Sequence, residues 1–108
     1  IADQLCERIV QQEWKAEERI PSIRELAVDL GVNPNTVAKT YQAMTEQGVI
    51  SNQRGLGYFV SLDAKQAILA LRKSQFLEHD LPELAKTLQL LDISPSELSS
   101  QLKKLEDL

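Results

Sequence analysis

Residues Asn33-Pro34-Asn35-Thr36, with Lys39 and Thr40 following, gather amides, hydroxyls and one cation within two turns of chain. An asparagine side chain pairs with adenine through two hydrogen bonds in the DNA major groove, and a threonine meets a phosphate, a base edge or a thymine methyl. If this stretch starts a helix, the helix N-terminus adds its own preference for phosphate. A second group lies at Arg54-Gly55-Leu56-Gly57. The two glycines let the backbone come close to a ligand, and the guanidinium suits a phosphate or a narrow minor groove. Ser22 and Arg24 are two further phosphate candidates. The plain alternative for each is a solvated cap or a surface arginine, so the surrounding elements must decide.

Those elements are legible. Ala2, Leu5, Ile9 and Val10 stripe a helix over 1–13, and Trp14 behind it reads as a core anchor. Arg19-Ile20-Pro21 is extended, as the residues before a proline tend to be. Ser22 and Glu25 have capping-box spacing, and Ile23, Leu26, Ala27 and Leu30 follow at helical period up to the stop at Gly31. Asn33 is a preferred N-cap and Pro34 fits the first helical position. Val37, Tyr41 and Met44 then stripe a helix over 34–47, which turns Asn35, Thr36, Lys39 and Thr40 outward. Two helices joined by a short glycine-containing turn make a helix-turn-helix. Val49–Gln53 and Tyr58–Val60 are strand-like around the turn at 54–57, so a β-hairpin trails the helices. The fold class is therefore mostly α with a small β-hairpin, a winged helix-turn-helix.

Residues 63–108 differ. Ile68, Leu69, Leu71 and Leu77 stripe one helix, and Leu84, Leu88 and Leu91 a second. Ser94-Pro95-Ser96-Glu97 starts a third, striped by Leu98, Leu102, Leu105 and Leu108. Three short helices cannot bury this much leucine among themselves. The economical reading is a short all-helical dimerisation tail over 63–108, after a DNA-binding domain over 1–62, with Ile68, Leu71, Leu84, Leu88, Leu91, Leu98, Leu102 and Leu105 facing a second copy of the chain. A chain cut near Ser61 is expected to keep the winged helix.

Composition excludes other classes. One cysteine, Cys6, leaves no intrachain disulfide and no cysteine zinc cage. The single histidine, His79, lies between Glu78 and Asp80 and reads as a solvated helix end. No catalytic constellation, cofactor motif or metal set stands out, and Gly55 and Gly57 alone do not make a nucleotide loop. No apolar run approaches a membrane span. The expected location is the cytoplasm, and Ile1 in place of Met suggests a trimmed start. Net charge is −4, yet between residues 33 and 58 the charged side chains are Lys39, Glu46 and Arg54 only. The acids lie elsewhere, which suits a local anion-binding face.

Ile20-Pro-Ser-Ile-Arg-Glu-Leu-Ala27, Gly31-Val-Asn-Pro-Asn-Thr-Val37 and Gln53-Arg-Gly-Leu-Gly-Tyr-Phe-Val60 together resemble the GntR family of bacterial transcription regulators, over residues 1 to about 61. The Asn-Pro-Asn-Thr-Val form and the short tail resemble its small YtrA-type branch. The resemblance implies DNA contacts at Arg24, Asn33, Asn35, Thr36, Arg54 and Gly55, and a dimerisation tail in place of a large effector domain. Family arginines of the recognition helix fall at Pro34 and Ala38 here, so the basic role passes to Lys39. Glycines usual before Arg19 are replaced by Gln12 and Glu17, so a different turn is expected there. The implied function is a homodimeric repressor on a palindromic operator in double-stranded DNA. No membrane partner is implied, and any small-molecule effector is left open. The competing reading is a winged-helix protein-interaction module whose leucine-rich tail docks a different protein.

Overall fold

The computed structural model describes residues 1–106, so the expected place of Leu108 on the last leucine stripe lies outside the described residues. The chain forms two compact units, Ile1–Leu71 and Arg72–Leu108, which divide later than the expected boundary near residue 62.

The first unit is mostly helical with a two-stranded antiparallel sheet. Helix α1 (Ala2–Val10) buries Leu5, Cys6 and Ile9. Trp14 is nearly buried, with the Arg8 guanidinium 5.1 Å from its ring centre. Both Gln12 and Glu17 adopt left-handed backbone, at φ 65° and 66°. At both positions, where the resemblance implies glycine, a side chain bears left-handed backbone at a steric cost of roughly 1–2 kcal/mol.

Helix α2 (Ile23–Leu30) starts on a complete capping box. The Ser22 hydroxyl oxygen accepts from the Glu25 N–H (3.1 Å), and the Glu25 carboxylate accepts from the Ser22 N–H (3.2 Å). Gly31 ends it at φ 66°. Helix α3 (Pro34–Glu46) starts on Asn33, whose side-chain oxygen accepts from the Asn35 N–H at 2.8 Å. Its inner stripe of Val37, Tyr41 and Met44 is completely buried. Strands β1 (Ile50–Gln53) and β2 (Gly57–Val60) pair from Ile50↔Val60 to Gln53↔Gly57. The extended segment before α2 runs along the free edge of β2. Val60 O accepts from Glu17 N–H (2.8 Å), Val60 N–H donates to Glu18 O (2.9 Å), and Ile20 N–H donates to Tyr58 O (2.9 Å).

Helix α4 (Ala64–Gln75) begins inside this unit. Ala64 and Ile68 join the core cluster, Ile68 at 1 % exposure. Ile68 is thus no accessible dimer residue, because the winged helix itself covers it. Leu71 is half-buried.

In the second unit Phe76–Asp80 forms a π-helical turn, in which Leu81 N–H bonds Phe76 O, ahead of helix α5 (Leu81–Leu90). A proline ring clashes with the carbonyl four residues back, and the wider turn before Pro82 makes room for it. His79 is exposed in the last turn of this π-helical segment. Asp92 is left-handed at φ 57°, and helix α6 (Pro95–Glu106) starts on Ser94, whose hydroxyl accepts from the Glu97 N–H. Among the described residues of the π turn, α5 and α6 none is buried.

Candidate nucleic-acid interface

Burial of Val37, Tyr41 and Met44 fixes the rotation of α3. Asn35, Thr36 and Lys39 are consequently exposed at its N-terminal half. Asn33 is exposed too, but its oxygen is committed to the cap. Thr40 differs from the sequence reading. It is half-buried and its hydroxyl donates to the Thr36 carbonyl at 2.9 Å, the back-bond that a helical threonine commonly makes. It keeps its methyl and its acceptor lone pairs.

On α2, Arg24 is exposed beside the capped N-terminus. Hydrogen bonding from Ser22, side chain first and backbone second, holds the Glu25 carboxyl below the ordinary carboxylate range. Ser22 is half-buried and Glu25 engages its hydroxyl twice, the N–H on its oxygen and the carboxylate on its proton, so a phosphate there would have to displace that carboxylate.

The hairpin carries Arg54 and Leu56 exposed at its tip, closed by a Leu56 N–H bond to Gln53 O (2.9 Å). Gly55 and Gly57 have φ of 79° and 116°. A methyl on Gly57 would stand 3.0 Å from the Arg19 Nε, so the glycine leaves room for that side chain. Exposed Arg19, bridged through its backbone to Phe59, therefore adds a guanidinium beside Gly57, at the tip end of the hairpin. Sequence reading gave Arg19 no role. Its signal was the glycine far along the chain on which it lies. Among the described residues Arg24, Lys39 and Arg54 make no ion pair.

Tyr41 joins helix to hairpin. Its ring meets Tyr58 edge-on at 4.8 Å between centres, and its hydroxyl donates to Pro21 O at 2.7 Å. Burial first, and Tyr58 second, push its phenol up to about 12. The arrangement offers donors and cations from α2, α3 and the hairpin, and no described group of histidine, cysteine and carboxylates that would hold a metal. The expected tail contacts from Leu84 onward belong to the second unit. Leu84, Leu91, Leu102 and Leu105 are exposed, and Leu88 and Leu98 are half-buried.

Known proteins share this architecture along nearly its whole length. A solved GntR-family transcriptional regulator from Bacteroides thetaiotaomicron superposes with a TM-score of 0.82 at 39 % identity, covering 98 % of this chain and 92 % of that one. The HTH-type transcriptional regulator YhcF of Bacillus subtilis is 32 % identical over 95 % of this chain and 84 % of its own length. The transcriptional repressor YtrA of the same species is 29 % identical over 97 % and 80 %. Residues 1–60, which hold the capped helix pair and the hairpin, match the family described as bacterial regulatory proteins, gntR family. With its motifs, fold and relatives in agreement, the chain belongs to the GntR family of DNA-binding transcription regulators.

Proposed function

We propose that this regulator is a homodimeric repressor that reads a palindromic operator in the cytoplasm. Each α3 enters a major groove, and each hairpin contacts the adjacent backbone or minor groove. Asn35 and Thr36 read base edges. Lys39, Arg24, Ser22 and Arg54 hold phosphates, Gly55 and Gly57 let the backbone approach, and Asn33 and Thr40 support the helix end that makes the contacts. The observation that carries this reading is the exposed face of α3, where Asn35, Thr36 and Lys39 stand opposite a fully buried stripe.

The dimer reading rests on the tail. Leu90 is 86 % exposed, Leu91 63 % and Leu105 61 %. Covering a leucine fully contributes about 1.5–3 kcal/mol. A few such residues from each copy offset an association cost of roughly 4–15 kcal/mol. Leu71, Leu84, Leu88, Leu98 and Leu102 complete the proposed interface. A mobility-shift titration with DNA from the gene's own promoter, repeated at several salt concentrations, tests the whole. Salt-dependent binding stronger than to random DNA supports it. Absence of DNA affinity at low salt returns the chain to a protein-interaction module.

A further inference from the structure

A cleft of about 420 Å³ opens on the first unit, sharing no lining residue with the proposed DNA face, between the end of α1, the turn after it, the end of β2 and the start of α4. That volume falls within the range of small-molecule sites. Ile9, Val60 and Ala64 lie beneath it almost wholly buried, so the apolar surface it offers comes from the edge of Trp14 and from exposed Leu62. Its rim is polar. Lys15 and Lys65 are the charged side chains that line it, with the amides of Gln12 and Gln66 beside them.

Both lysines are exposed, and among the described residues neither ammonium has an ion-pair partner. The nearby Glu18 carboxylate is turned onto the Lys15 backbone N–H at 2.7 Å. Gln12 stands on the rim in left-handed backbone, where a glycine would avoid the strain. Such strain persists only where the surroundings over-determine it.

We propose that this cleft binds a small organic monoanion, an apolar carboxylate whose body lies on Trp14 and Leu62 and whose charge is held between Lys15 and Lys65. An inorganic anion would leave Trp14 and Leu62 wet, and a cation would meet two like charges. The occupant would sit on the strand that carries the hairpin. Val60 exchanges bonds with Glu17 and Glu18 on its free edge and is paired with Ile50 on the other. Any effect of the ligand on the hairpin would be matched by an equal effect of DNA on ligand affinity.

The chain's one tryptophan, Trp14, reports on the cleft. The full chain, without DNA, is titrated at constant ionic strength with cyclohexanecarboxylate, hexanoate and benzoate, and with cyclohexylmethanol and inorganic phosphate. At least one carboxylate is expected to change Trp14 fluorescence saturably below about 10 mM, with the alcohol and phosphate at least about tenfold weaker. Lys15→Gln with Lys65→Gln, both at exposed positions, is expected to weaken that carboxylate at least about tenfold. Failure of all three carboxylates to saturate overturns the proposal. So does equal binding of the alcohol or of phosphate, or unchanged binding by the double variant. Because no DNA is present, the outcome is independent of whether the operator reading stands.

Discussion

Asn33 and Asn35 lie two positions apart and have different roles. The Asn33 oxygen is bound to the Asn35 N–H, whereas the Asn35 side chain is exposed. Asn35→Ala is therefore expected to cost about 1–3 kcal/mol on the best operator and less on random DNA. Equal losses on both, in competition binding, would make Asn35 a backbone-positioning residue. Arg54→Ala is expected to lower the slope of log K against log salt by about 0.9, the share of one phosphate, with little change in stability. An unchanged affinity at low salt dismisses that contact. The asparagine cap was legible in the sequence because capping is decided within three residues. Thr40 and Arg19 were not. The first depends on which way one hydroxyl turns, and the second on Gly57, which only the folded chain brings alongside.

Among the elements, α3 and the hairpin are tied by one side chain. Tyr41 has an ordinary value of 10.0 and is pushed up to about 12 when folded. The folded phenol holds its proton longer than the unfolded one. Stability is thus complete below pH 10 and falls between about pH 10 and 12, at about 1.4 kcal/mol per pH unit. Urea unfolding over pH 9–12 is expected to show this fall in the native chain. Tyr41→Phe should lack the contribution, after losing about 1 kcal/mol at neutral pH with the bond to Pro21. An identical pH profile in the variant would remove Tyr41 as its source. The hairpin tests a different constraint. Gly55→Ala meets open space and only a left-handed φ, whereas Gly57→Ala meets φ 116° and Arg19 as well. Gly57→Ala is expected to lose about 1–3 kcal/mol, and more than Gly55→Ala, by thermal unfolding. The reverse order would show that Arg19 yields freely. Helices and strands were read nearly to their ends, because caps, prolines and apolar period are local. The left-handed Gln12 and Glu17 were not, since no local preference favours them and the bonds of Glu17 and Glu18 to Val60 lie far along the chain.

At the scale of the molecule, the leucine excess of the tail was plain from composition, but period alone does not say what covers a stripe. Ile68 sits on the same kind of stripe as Leu84 and yet belongs to the core of the winged helix. A cut near Ser61 therefore removes Ala64 and Ile68, and loss of the isoleucine alone is expected to cost about 2–5 kcal/mol. A chain of residues 1–72 is expected to stay folded and sediment as a monomer, and the full chain as a dimer without DNA. A full-length monomer at high micromolar concentration would defeat the homodimer, and equal stability of the two shortened chains would contradict the place of Ile68. The same placement sets an order of events during synthesis. A ribosome delivers roughly 5–20 residues per second, and the winged helix lacks part of its core until Ile68 arrives. The leucines of α5 and α6 are added only seconds afterwards, so every residue of the DNA-reading core is synthesised before the exposed leucines of the tail.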